Sequence, residues 1–224
     1  MTTSRWRVSA AVACLVIGPV AMFVQFVVTP VPGGDASVAD TLNTLAAHQT
    51  AMQWALVLDL PLLLVVPALL YAGLLAGAAT ERLAAIATAL VVLPSIGAVV
   101  LVGQDALLYV ASQQPARGAA VALVQDFVDN PLIAFLTFGY LAAHAIAYPL
   151  LAVALRRARV LALWPAIGLG IWPLVEMAGY AAGARPVAAV GYFLQAVALG
   201  LCAAHLRGVA RPVPATRTHS AHAV

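Results

Sequence analysis

Three carboxylic side chains interrupt long apolar stretches of this 224-residue sequence: Asp59, Asp105 and Glu176. A fourth apolar stretch contains a histidine, His144. Carboxylates and an imidazole together are suitable ligands for transition metals such as Zn²⁺, Mn²⁺ or Fe²⁺. They suit equally well a proton relay or a cation site inside a membrane. These four residues are therefore the first candidates for a functional site.

Amide and phenol side chains recur near these four residues. Tyr109 follows Asp105 by four positions and Tyr180 follows Glu176 by four, so each pair shares a helix face and can form a hydrogen bond. Anchoring at the membrane interface is the alternative role of Tyr109. Spacings of three and four also predict one polar stripe along a single helix face, formed by Thr137, Tyr140, His144 and Tyr148. The complete set of predicted pocket residues is Asp59, Asp105, His144, Glu176, Gln25, Gln104, Gln195, Tyr109, Tyr140, Tyr148 and Tyr180.

The composition indicates the environment of these residues. The chain is 64% hydrophobic and only 8% charged, with a mean hydropathy of +1.00, whereas soluble domains are about 25% charged. These values exclude a soluble enzyme, a disordered chain and a nucleic-acid-binding domain. They indicate an all-α, polytopic integral membrane protein, for which the lipid bilayer is the first partner.

Six apolar stretches are long enough to cross a bilayer, which requires about 20 residues each. We predict six transmembrane helices in one domain over residues 1–210, arranged as three helical hairpins, followed by a disordered cytoplasmic tail at 211–224. Two shorter amphipathic helices are expected at the outer interface, at about 40–47 and 119–127. The predicted spans are about 8–30, 51–77, 83–110, 131–155, 160–182 and 186–206.

The arginines predict the orientation, because cytoplasmic loops carry an excess of positive charge. With both termini in the cytoplasm, Arg117 and Arg185 lie outside and the other nine arginines lie inside. The basic pI of about 9.2 then needs no nucleic-acid partner. An arginine-only, alanine-rich composition favours a bacterial inner membrane. In this orientation most candidate residues fall in the outer half of the bilayer, with His144 near the midplane, and they can surround one pocket open to the outside.

An internal repeat is a further hypothesis. Pro94 precedes Asp105 by 11 residues, and Pro165 precedes Glu176 by 11 residues. A parallel repeat of helical hairpins about an axis near the membrane normal would account for this spacing. Chance in a sequence of low complexity is the alternative explanation.

Three functions from different classes are compatible with the polar set. The first is a cation- or proton-linked transporter, the second an accessory or structural subunit that packs against another membrane protein or another copy of the chain, and the third an intramembrane metal-dependent or acid–base enzyme. No catalytic or nucleotide-binding motif such as HExxH, GxSxG or GxGxxG occurs. No cofactor is predicted; a transition metal is the alternative, and haem is disfavoured because His144 has no obvious axial partner.

Overall fold

The structure is a computed structural model that describes residues 5–30, 36–77 and 79–209, without the side chains of residues 5, 93–96 and 98. All regular elements in these ranges are helices, which confirms the all-α fold for this part of the chain. The predicted tail at 211–224 lies outside the described residues. The helices are α1 (Arg5–Val28), α2 (Val38–Ala47), α3 (Gln49–Leu62), α4 (Val65–Gly77), α5 (Glu81–Ser112), α6 (Arg117–Val128), α7 (Pro131–Arg157), α8 (Leu163–Ala181) and α9 (Arg185–Val209).

The observed helices follow the apolar stretches closely, and their ends lie within three residues of the predicted span ends. Four helical segments in the described ranges are long and apolar enough to cross a membrane: Trp6–Val28, Gln49–Gly77, Pro131–Arg157 and Arg185–Val209. In α5 the described apolar part, Val99–Ser112, is shorter than a full crossing. The structure thus supports a helical membrane protein, while the number of six crossings stays a prediction.

Large apolar side chains cover the outside of the bundle. Leu60, Leu74, Phe135 and Phe138 are each more than 70% exposed, and similar residues face outward from every long helix. A soluble protein rarely presents so much contiguous apolar surface. In a bilayer these side chains contact lipid without cost, so the exposed surface agrees with the composition.

The long helices form a closed ring. Going round it, α1 packs against α9, α9 against α8, α8 against α7, α7 against α5, and α5 against the α3–α4 segment, which returns to α1. Sequential partners therefore pack as hairpins, α5 with α7 and α8 with α9. The backbones of the last hairpin lie close together at Gly179, where an added Cβ would lie 2.8 Å from the Cα of Ala188.

The second apolar stretch is a broken helix. Turn residues 63 and 64 separate α3 from α4, between Pro61 and Pro67. Pro67 has no N–H, and the carbonyl of Leu63 instead accepts a hydrogen bond from the N–H of Val66 at 3.2 Å. Gly18 of α1 lies against this break, where an added Cβ would be 2.6 Å from the carbonyl carbon of Leu64.

The break separates two kinds of packing. On the α4 side of the break, α4 contacts α7 and α9 across the ring as well as its ring neighbours α1 and α5. Its small buried residues, such as Ala68 and Ala72, pack in the middle of the bundle. On the α3 side of the break, α3 packs on its ring neighbours α1 and α5. The centre of the bundle is therefore filled on the α4 side of the break and open on the α3 side.

The two short helices cover one side of the open end. Ser37 and Asp40 form a capping box at the start of α2, which fixes where that helix begins. Leu42 and Leu45 of α2 are fully buried, and they pack in a cluster with Ala120 and Val124 of α6 and with residues of α3 and α5. Both amphipathic helices were predicted, and they use their apolar faces to dock onto the bundle and onto each other.

Candidate functional site

A cavity of about 410 Å³ lies at the open end of the ring, where α1 and α8 end and α7 and α9 begin. It is formed by α1, α3, α5, α7, α8 and α9, with the start of α2 at its edge. Under the predicted orientation this is the outer end. Its polar and aromatic lining residues are Gln25, Phe26, Thr29, Thr41, Asp59, Asp105, Tyr140, Tyr180, Arg185 and Tyr192.

Asp105 and Gln25 join two of these helices across the cavity wall. The amide nitrogen of Gln25 in α1 donates a hydrogen bond to the Oδ2 atom of Asp105 in α5, at 3.1 Å. The two residues are 80 positions apart in sequence, so this bond depends on the tertiary fold. The remaining lone pairs of the Asp105 carboxylate are available to a ligand.

Asp59 is the most unusual residue of the site. Its side chain is only 3% exposed, and neither carboxylate oxygen accepts a hydrogen bond of good geometry from the described residues, although the Gln25 amide lies near it. Leaving a buried polar group without a partner costs free energy, and the cost is larger for a charged group. Asp59 lies one helical turn before the break between α3 and α4, and it lines the cavity.

Glu176 reaches the cavity through a tyrosine. The hydroxyl of Tyr192 in α9 donates a hydrogen bond to Oε1 of Glu176 in α8. The close approach of the two helices depends on Gly191, where an added Cβ would lie 2.8 Å from the carbonyl oxygen of Trp172. The ring of Tyr192 lines the cavity.

Aromatic rings continue from the cavity toward the centre of the bundle. Phe26 stacks on Tyr192 with ring centroids 4.7 Å apart, and Tyr192 contacts Trp172 at 5.5 Å. Trp172 in turn contacts Tyr148 at 4.9 Å and His144 at 5.8 Å. These rings, from α1, α7, α8 and α9, form a continuous aromatic wall beside the polar side chains.

Three of the four residues of the predicted polar stripe of α7, Tyr140, His144 and Tyr148, lie next to one another. The ring centroids of Tyr140 and His144 are 4.0 Å apart, and those of His144 and Tyr148 are 5.1 Å apart. Nδ1 of His144 lies 3.0 Å from the carbonyl oxygen of Tyr140. Since Tyr140 lines the cavity and His144 lies one turn further along α7, His144 sits behind the cavity wall.

Gln195 and Tyr148 form a buried polar pair deeper in the bundle. The amide nitrogen of Gln195 donates to the Tyr148 hydroxyl at 2.8 Å. Within the described part of the chain, Oε1 of Gln195 and Nε1 of Trp172 are buried without a hydrogen-bond partner. The pair therefore links α7 to α9 but does not line the cavity.

Arg185 was not among the predicted pocket residues, because the sequence analysis used it only to predict the membrane orientation. Its guanidinium donates hydrogen bonds to the carbonyl oxygens of Phe26 at 2.8 Å and Thr29 at 2.6 Å, at the end of α1. It also lies 5.3 Å from the centroid of the Phe26 ring. A cation at a helix C-terminus is stabilised by the helix dipole.

Tyr192 was also absent from the predicted pocket residues. It was noted only as a neighbour of Gln195, although it contacts Glu176.

The observed partners of the predicted tyrosines differ from the neighbouring acids. The hydroxyl of Tyr109 accepts a hydrogen bond from the amide of Gln53 at 2.7 Å. Tyr180 lines the cavity and packs edge-on against Phe26, while the observed hydroxyl partner of Glu176 is Tyr192. Gln104 is not part of the cavity lining. The four-residue spacing places each tyrosine on the same helix face as the acid, but the observed hydrogen bonds of Tyr109 and Glu176 are with residues of neighbouring helices.

The acids do not form a metal cluster in the described residues. No group of three or more His, Cys, Asp or Glu side chains in these ranges is close enough to hold a metal ion. Asp59 and Asp105 line the cavity, whereas Glu176 is bound to Tyr192 and His144 lies behind the wall. The arrangement suits a ligand that needs two carboxylates and an aromatic wall better than a transition metal that needs three or four protein ligands.

Comparison with protein-family models, with curated proteins and with solved structures gives no match to this chain.

Proposed function

We propose that the protein is a small multi-pass membrane transporter that binds a cation or a proton in the cavity lined by Asp59 and Asp105. The observation that carries this proposal is the carboxylate of Asp59, which is buried beside the cavity without a hydrogen-bond partner among the described residues. Such a group is retained at a cost to stability. A bound cation or proton would lower that cost, and this is the simplest reason for an acid at this position.

The broken helix beside Asp59 supports transport in particular. Many transporters bind their substrates near interruptions of transmembrane helices, where irregular backbone lines a cavity. Here the break at residues 63–64 follows Asp59 by one turn and lies between Pro61 and Pro67. A change of angle between α3 and α4 would move Asp59 relative to α4 without breaking a continuous helix.

The proposal includes the membrane topology. We propose that all six long helices cross a bacterial inner membrane with both termini in the cytoplasm, on the basis of the arginine distribution. Labelling of a cysteine at position 220 tests this orientation. An impermeant thiol reagent should label Ser220→Cys in inverted vesicles and should leave it unlabelled in intact cells, and the reverse pattern would contradict the topology.

Ion flux into liposomes tests the proposed activity. The purified protein is reconstituted with a pH-sensitive dye inside, and proton entry is followed after an outside acid pulse, with and without Na⁺ or K⁺. We expect entry above that of empty liposomes, reduced about tenfold or more in Asp59→Asn and Asp105→Asn, as expected for loss of a charge-assisted contact. The matched control is Asp126→Asn, since Asp126 is exposed on α6. Equal rates in all variants would contradict the proposal.

A further inference from the structure

We infer that the ligand of the cavity is a protonated amine with a small apolar body, whose N–H groups bind Asp59 and Asp105 while its body packs against Phe26, Tyr180 and Tyr192. This inference rests on the proposed function and specifies the class of cation. It follows from the size of the cavity, its unused hydrogen-bond acceptors, its aromatic wall and its charge.

The cavity has the size of a small-molecule site. Its volume of about 410 Å³ falls in the range of about 300–1,000 Å³ that is usual for small-molecule sites. Apolar side chains, among them Met22, Leu62, Leu101 and Val102, complete its lining. An ion alone would leave this apolar space filled only by water, whereas an organic cation would fill it.

The carboxylate oxygens of Asp59 and Asp105 favour a cation that carries hydrogen-bond donors. Both oxygens of Asp59 lack a partner among the described residues, and one oxygen of Asp105 already accepts from Gln25. A primary ammonium group presents three N–H donors on one atom, enough to serve both carboxylates. A quaternary ammonium ion has no N–H donor and would leave the oxygens of Asp59 unsatisfied.

The aromatic wall and the charge of the lining fit the same ligand. Cations bind favourably over aromatic faces within about 6 Å of the ring centroid, and apolar groups pack against the same rings. The lining contains two carboxylates and one guanidinium, that of Arg185, which donates to the carbonyl oxygens of Phe26 and Thr29. One ammonium group would therefore balance the formal charge of the lining.

Binding of simple amines to the purified protein tests the inference. Methylammonium, butylammonium and phenethylammonium are titrated into the protein in detergent by calorimetry, with 2-phenylethanol as the neutral analogue and tetramethylammonium as the cation without donors. We expect saturable binding of the larger amines and none of the two analogues. Asp59→Asn and Asp105→Asn should each weaken amine binding about tenfold to a hundredfold, as for loss of a hydrogen bond to a charged group, while Asp126→Asn should bind as the wild type.

The role of the wall is tested by a second pair of variants. Tyr180→Leu should weaken phenethylammonium binding more than methylammonium binding, and Phe135→Leu, on the exposed face of α7, should change neither. If Na⁺, K⁺ or protons bind in an Asp59-dependent manner and no amine does, the inference is overturned and the proposed function stands. If the protein binds none of these cations, both are overturned.

Discussion

Replacement of Asp59 by leucine should make the protein more stable. Asp59 is 3% exposed, and its two carboxylate oxygens have no hydrogen-bond partner among the described residues. A structural acid would be expected to hold a partner, and its loss would destabilise the fold. An acid kept for binding would instead be a source of instability in the empty protein, so its removal should stabilise the fold and abolish binding.

The magnitude follows from the contacts. An unsatisfied buried polar group costs about 1–3 kcal/mol, and leucine removes that cost while its extra volume extends into the adjacent cavity. The matched variant is Asp105→Leu, because Asp105 lines the same cavity but accepts a hydrogen bond from Gln25. That replacement removes the hydrogen bond that joins α1 to α5 and should cost a similar amount. The two variants should therefore shift stability in opposite directions.

Thermal unfolding in detergent without ligand measures both effects. For a chain of this size, 1 kcal/mol corresponds to roughly 2–4 °C in Tm. We expect Asp59→Leu to raise Tm and Asp105→Leu to lower it by a few degrees each. The reasoning is refuted if Asp59→Leu lowers Tm as much as Asp105→Leu does, since Asp59 would then be a structural residue.

Three further predictions concern packing, capping and protonation. Gly18→Ala should destabilise the protein by about 1–3 kcal/mol because its Cβ would overlap the backbone at the helix break, whereas Gly200→Ala, with open space around its Cα, should be neutral or slightly stabilising in the same unfolding assay. Arg185→Gln should cost about 1.5–3 kcal/mol, measured as a lower Tm, because charge-assisted bonds to two carbonyls at the end of α1 are lost. Glu176→Gln keeps an acceptor for Tyr192 and should preserve Tm, while the flux profile between about pH 5 and 8 should change because an ionisable group is removed; an unchanged profile would exclude Glu176 from the site.

The positions of the helices could be predicted because local features determine them. Long apolar runs give α1, α5, α7, α8, α9 and the broken α3–α4 segment. The capping box of Ser37 and Asp40 sets the start of α2 at Val38, two residues before the predicted start. The break at residues 63–64 was harder to predict, although Pro61 and Pro67 were visible in the sequence. Proline in a membrane helix can kink it or break it, and the outcome here depends on the approach of Gly18 from another helix.

The candidate site could be predicted only in its residue types. The cost of placing charge in a membrane singles out Asp59, Asp105 and Glu176 from the sequence. Their partners depend on rotation and tilt of neighbouring helices, so Gln25 could not be assigned to Asp105, nor Tyr192 to Glu176. For the same reason Gln53 could not be assigned as the partner of Tyr109.

The role of Arg185 could not be predicted from the sequence alone. Its charge is counted in any topology argument, because it lies in a short turn between two apolar stretches. Its contacts with the carbonyls of Phe26 and Thr29 join residues more than 150 positions apart. A long-range contact of this kind leaves no local pattern in the sequence.

The most direct test of the account is the accessibility of Asp59 from outside the cell. Asp59→Cys is made in a background in which Cys14 and Cys202 are replaced by serine, and intact cells are treated with an impermeant, positively charged thiol reagent. We predict rapid labelling of Asp59→Cys and slower or no labelling of Gln195→Cys, which lies deeper and outside the cavity lining. Labelling of Asp59→Cys only from the cytoplasmic side, or from neither side, would contradict an outward-facing cation site.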